Sequence, residues 1–180
     1  TGARLMVGFN RRFDPHFRAV KAAIDAGQVG QVEMVNITSR DPGAPPMDYI
    51  ERSGGIFRDM TIHDFDMARF LLGEEPVSVS AVGSNLVDPA IGQVPDIDSA
   101  AITLVTASGK IAQISNSRRA AYGYDQRIEV LGSTGLAKAD NIHESTMTIA
   151  GAAGFTQPPL MNFFLERYMP SYHAEVATFV

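Results

Sequence analysis

Residues 98–118 read Asp-Ser-Ala-Ala-Ile-Thr-Leu-Val-Thr-Ala-Ser-Gly-Lys-Ile-Ala-Gln-Ile-Ser-Asn-Ser-Arg. Two short β-type runs, 98–106 and 111–118, meet at the turn signal Ala107-Ser108-Gly109-Lys110. Further runs of the same kind occupy 77–84, 126–131 and 135–139, the last two joined at Gly132-Ser133-Thr134-Gly135. Short strands separated by tight turns predict an antiparallel meander. Working upstream, Asp14 is an N-cap with Pro15 at the first helical position, Phe17, Val20, Lys21 and Ile24 keep helical spacing, and Gly27 is the stop. Residues 4–9 read as a buried strand, 31–39 as a second strand, 40–54 as a Pro/Gly loop, and 55–72 as a helix ended by Gly73. Downstream, 145–150 suit another strand, 151–159 a flexible linker, and 161–180 a helix interrupted near Pro170. The expected fold class is α+β: a large, mostly antiparallel open sheet with helices on one face and the other face free for a partner subunit.

Composition narrows the function. The chain has 180 residues, 45% hydrophobic and 19% charged, enough for one sizeable core. Its formal net charge of -5, with no basic stripe, argues against a nucleic-acid partner. No apolar run approaches a membrane span, and no signal-like leader is seen. The absence of cysteine rules out disulfides and thiolate metal sites and is compatible with the cytoplasm. Both ends fall inside patterned segments, Leu5 to Phe9 and Phe179-Val180, which reads as a fragment.

The stretch with chemistry in it is Gly54-Gly55-Ile56-Phe57-Arg58-Asp59-Met60-Thr61-Ile62-His63-Asp64-Phe65-Asp66. Helical spacing puts Asp59, His63 and Asp66 along one side, bordering the apolar Ile56, Met60 and Phe70. Three readings stand. His63 is a general base whose proton affinity and orientation come from Asp59. Alternatively, the three residues bind a divalent metal, or they form a structural row of caps and ion pairs. Weaker signals are Ser39-Arg40-Asp41-Pro42 at a strand end, Tyr122-Gly123-Tyr124-Asp125, and Asn10-Arg11-Arg12. No strand–glycine loop–helix phosphate cradle occurs.

Taken together, Gly8-Phe9-Asn10-Arg11-Arg12-Phe13-Asp14, Ser39-Arg40-Asp41-Pro42, Gly54-Gly55 with Asp59-x-x-x-His63-x-x-Asp66, and Tyr122-Gly123-Tyr124-Asp125 resemble the glucose–fructose oxidoreductase/inositol dehydrogenase/MocA family. The inositol dehydrogenases within it are the most alike. The resemblance implies a two-domain, NAD- or NADP-dependent oxidoreductase that oxidises a cyclic polyol hydroxyl to a ketone. Residues 1–12 would be the last strand of its dinucleotide-binding domain, and 13–180 the substrate-binding and catalytic domain. It implies Asp59 and His63 as the catalytic pair, without metal. Asn10, Arg11, Ser39, Asp41 and Tyr124 are implied as substrate contacts, Ser39 and Asp41 standing where some inositol dehydrogenases present His and Asn. The cofactor site and a helping lysine are expected outside this chain, and the oligomer is expected to form through the sheet. Other readings are a dehydrogenase of a different sugar or pseudosugar, or a non-catalytic ligand-binding or oligomerisation module.

Overall fold

The computed structural model describes residues 2–180. The first helix, α1 (Pro15–Asp25), starts as the sequence dictates: the Asp14 carboxylate accepts from the His16 and Phe17 amides, both at 3.0 Å. Asp14 also receives the guanidinium of Arg167, and both partners are buried. That ion pair ties the chain's start to α4 (Phe164–Arg167) and, through it, to α5 (Met169–Phe179). Gly27, at φ 72°, turns the backbone into β1 (Val32–Arg40).

The remaining elements are α2 (Met47–Ser53), a π-helical turn (Phe57–Thr61) running into α3 (Ile62–Leu72), and strands β2 (Pro76–Ser84), β3 (Ser99–Thr106), β4 (Ile111–Ser117), β5 (Asp125–Gly132) and β6 (Gly135–Ala139). The six strands lie in the order β2-β3-β4-β1-β5-β6. The meander is therefore interrupted: β1 is inserted between β4 and β5, parallel to the first and antiparallel to the second. The 118–124 connection is long enough to step over one strand, a distance of about 10 Å at normal strand spacing. All other pairings in this sheet are antiparallel.

Period-2 alternation decides which face is covered. Val35 and Ile37 of β1, Ile102 and Leu104 of β3, Ala112 and Ile114 of β4, and Ile128 and Val130 of β5 are buried beneath the helices. Met67, Ala68, Leu71 and Leu72 of α3 meet them, with Phe17 and Val20 of α1. Burying each large apolar side chain is worth roughly 1.5–3 kcal/mol. The opposite face carries Asn36, Thr38, Gln113 and Ser115 with half-exposed Leu131 and Leu136, and no described helix covers it.

Four local expectations change. Residues 4–8 are exposed, Phe9 is half-buried, and none is paired as a strand; Leu5 is 91% exposed, because no described strand edge lies beside it. Thr1, the first residue of the 1–12 segment, lies outside the described residues. The 40–54 loop contains α2, anchored by buried Ile50 and closed by Gly54 at φ 85°. The helix expected over 55–72 opens with the π turn. The 151–159 linker holds half of a small hairpin, β7 (Ile149–Gly151) with β8 (Gly154–Thr156).

Asp14→Ala removes the α1 cap and leaves the Arg167 charge buried without its partner. It is expected to lower unfolding free energy by about 3–5 kcal/mol in urea titrations.

Candidate active site

Because β1 and β4 run parallel, their C-terminal ends emerge at the same edge of the sheet, where antiparallel β5 begins. Asp41 and Arg118 follow those ends, and Tyr124 precedes β5. The Asp41 amide donates to the Ser117 carbonyl at 3.0 Å, and the Ala120 amide donates to the Asp41 carbonyl at 2.7 Å. These bonds pin the two loops together. The π turn and the start of α3 add Asp59 and His63 to the same place, and the result is a cavity of about 670 Å³. Asn10, Asp41, Asp59, His63, Arg118 and Tyr124 line it, against an aromatic wall of Phe163, Phe164, Tyr168 and Tyr172. A volume of this size admits a small organic ligand.

Six of the seven residues picked out from sequence reach the cavity: Asn10, Arg11, Asp41, Asp59, His63 and Tyr124. Ser39 does not. It is 1% exposed and lies beneath the cavity floor, donating to Asp64 Oδ1 at 2.6 Å and accepting from Arg11 Nη1 at 2.8 Å. Its place at an inward-facing strand position, one pleat before the strand end, makes it part of the support and not a ligand contact. Asp66 also leaves the row. It faces Arg12, whose Nε and Nη2 each donate to its carboxylate at 2.7 Å.

Asp59 and His63 share the cavity but not the expected hydrogen bond. Asp59 Oδ1 accepts from the Tyr49 hydroxyl at 2.5 Å, and Oδ2 accepts from Arg118 Nη1 at 2.9 Å. His63 Nδ1 is buried with no partner among the described residues, and the ring stands edge-on to Phe9 at 6.3 Å. Burial is the largest influence on His63 and the Arg11 cation acts in the same direction, so its pKa falls below the ordinary value despite Asp64, Asp59 and Asp66. The expected rise in proton affinity is thereby corrected: desolvation outweighs the carboxylates. A neutral imidazole with no protein partner is free to accept a proton from a bound ligand.

The cavity's other polar groups are poised in complementary ways. Burial pushes the Asp41 carboxyl up to about 6, against the pull of Arg11 and Arg118, and its carboxylate has no hydrogen-bond partner among the described residues. Burial also holds the Tyr124 phenol well above its usual range, so it remains a donor. Asn10 donates to Ser171 Oγ at 3.2 Å, tying the cavity wall to α5.

Sequence reasoning missed Arg118, Tyr49 and Asp64. Arg118 ends a β-type run, a place that gives no signal of chemistry. Tyr49 sat in a segment read as loop. Asp64 did leave a signal: it interrupts the apolar stripe Met60, Met67, Ala68 and Leu71, where a buried acid must be paired.

Comparison with known proteins follows the same lines. The defining pattern of the GFO/IDH/MocA C-terminal domain matches residues 17–138. The inositol 2-dehydrogenase of Rhizobium meliloti (strain 1021) is 65% identical over 180 residues, which is 100% of this chain and 54% of that protein. The crystal structure of a myo-inositol dehydrogenase from Corynebacterium glutamicum ATCC 13032 superposes with a TM-score of 0.93 at 48% identity, covering 97% of this chain and 52% of that one. A scyllo-inositol dehydrogenase from Lactobacillus casei, solved with bound NAD(H) and scyllo-inositol, superposes at 0.86 with 28% identity, covering 97% and 53%. The chain thus spans about half the length of each of these proteins.

An unpaired carboxylate with a raised pKa opposes folding at neutral pH. The folded state binds more protons than the unfolded state between the ordinary value of 3.8 and about 6, so this penalty is absent below that window and complete above it. Asp41→Asn is expected to stabilise the chain at pH 7 by on the order of 3 kcal/mol. Paired urea titrations should show the gain shrinking toward zero below pH 4, and a gain independent of pH would contradict the assignment.

Proposed function

Because the chain belongs to the GFO/IDH/MocA family, we propose that it is the substrate-binding and catalytic part of an NAD-dependent dehydrogenase that oxidises one hydroxyl of a cyclic polyol such as myo-inositol. In this reading residues 13–180 form the substrate half, and residues 1–12 end the dinucleotide-binding half. The observation that carries it is His63: a half-buried, neutral imidazole whose Nδ1 has no partner among the described residues, in a cavity otherwise lined by groups suited to hydroxyls.

A ring bearing several hydroxyls needs both acceptors and donors around it. Asp41 and Asp59 supply charged acceptors, while Tyr124 and Arg118 supply donors. Charge-assisted hydrogen bonds of this kind are roughly twice as strong as neutral ones. The aromatic wall of Phe163 and Tyr168 offers an apolar surface for the ring's C–H face. His63 accepts the proton of the reacting hydroxyl. The negative charges of Asp59, Asp64 and Asp66 favour the imidazolium that forms, and the Arg11 cation opposes it, which helps return the proton later.

The nicotinamide, when bound, supplies the hydride acceptor. Among the described residues no glycine-rich loop joins a strand to a helix in the manner of a pyrophosphate cradle, so this chain fits only the nicotinamide end of NAD. In this reading Asn10 and Arg11, which line the cavity next to the 2–9 segment, contact the substrate close to the nicotinamide. The uncovered sheet face, with Leu131 and Leu136, is the surface assigned to self-association. In this reading the enzyme works in the cytoplasm.

The test uses the full-length enzyme containing this chain, with NAD and a panel of inositols and aldoses. Turnover of myo-inositol is expected, and His63→Ala should lower it by roughly two to four orders of magnitude. Near-normal turnover by His63→Ala removes the general base. Turnover of an aldose with every inositol ignored rejects the cyclic-polyol assignment.

A further inference from the structure

Arg118 is 1% exposed, yet no element of its own strand pairs with its charge. Its guanidinium is bracketed by two carboxylates: Nη1 donates to Asp59 Oδ2 at 2.9 Å, and Nη2 lies 3.5 Å from Asp96 Oδ2. Asp96 is itself fixed, because its Oδ1 accepts from the Ile56 and Ile97 amides at 2.8 Å each. The Arg118 amide donates to the Asp98 carbonyl at 2.8 Å. Asp98 is in turn held by the amides of Leu86, Val87 and Asp88. A rigid loop therefore carries Asp96, which carries Arg118, which carries Asp59. The Tyr49 hydroxyl, from α2, occupies the other Asp59 oxygen at 2.5 Å. Both oxygens are engaged away from the imidazole, and His63 Nδ1 has no partner among the described residues although a carboxylate lies one helical turn before it.

We infer that Arg118, backed by Asp96 and assisted by Tyr49, is a positioning residue that holds the Asp59 carboxylate off His63, so that carboxylate and imidazole meet a bound ligand as two separate groups. An Asp59–His63 hydrogen bond would join acid and imidazole into one unit and favour the protonated ring. With the clamp, Asp59 keeps lone pairs for a ligand hydroxyl, and His63 stays neutral. The groups that face His63 are Arg11, Asp64, Asp59 and Asp66. Those that face Asp59 are Tyr49, Arg118 and Asp41. Cutting the clamp at Tyr49 releases Asp59 alone, whereas Arg118 also faces Asp96 and Asp41, which makes the Asp59→Asn background the necessary control. What the two groups do to a ligand rests on the polyol-oxidation reading; their geometry does not, and it is tested without turnover.

The measurement is an NMR titration of the His63 ring in the 180-residue chain. Tyr49→Phe removes one side of the clamp without changing charge, at a residue 47% exposed. Arg118→Met removes the other side. Each is expected to let Asp59 reach the imidazole and raise the His63 midpoint, by about 1 pH unit for Arg118→Met and by less for Tyr49→Phe. Arg118→Lys should stay near the parent. In an Asp59→Asn background both rises should vanish. If the Arg118→Met rise survives in that background, Arg118 acts by its own charge and the clamp is refuted. An unmoved midpoint in Tyr49→Phe refutes it as well, and that variant decides the matter if Arg118→Met does not fold.

Discussion

The buried carboxylate of Asp64 is the interaction on which the rest is built. It sits fully enclosed on α3 and collects three donors: Arg11 from the N-terminal turn, Ser39 from β1 at 2.6 Å, and Asn116 from β4 at 2.7 Å. Asn116 in turn accepts from Thr61 in the π turn at 2.6 Å. One acid thus connects four segments that are far apart in the chain. A buried charge left without its partners costs several kcal/mol, so these segments are constrained to arrive together. The next residue back, His63, is placed by that constraint.

The insertion of β1 between β4 and β5 serves the same end. A plain meander would send adjacent strand ends to opposite edges of the sheet. The parallel β1–β4 pair brings two C-terminal ends to one edge, and β5 adds an N-terminal end there. Asp41, Arg118 and Tyr124 occupy those three positions. The π turn then adds Asp59 beside them at the price of irregular helix geometry, a feature frequent at functional sites.

Electrostatics in the cavity follow from desolvation more than from pairing. His63 is pushed down and Asp41 up by the same cause, removal from water. Pairing is reserved for Asp59 and the acids below the floor. The site therefore contains one carboxylate paired with an arginine, one left to bind by itself, and one imidazole left neutral. That division suits recognition of a ligand with many hydroxyls, each of which can donate and accept.

The sequence by itself determined most of the helices and strands and several of the residues that line the cavity. Asp14-Pro15 and Gly27 bound α1, alternation marks β1, β3, β4 and β5, and Gly73 ends α3 at φ 65°. Those features are local, and local stereochemistry is what a linear pattern records. The Asp59–His63 spacing and the Tyr124 motif likewise identified residues that line one cavity. Only the tertiary structure decided the partners. Ser39 was drawn into the floor by Asp64, Asp66 was taken by Arg12, and Asp59 was taken by Arg118 and Tyr49 rather than by His63. Those choices depend on which distant side chain reaches a buried charge first in space. Helical spacing can place two residues on one face, but it cannot say that a guanidinium fifty-nine positions away will take the carboxylate of one of them.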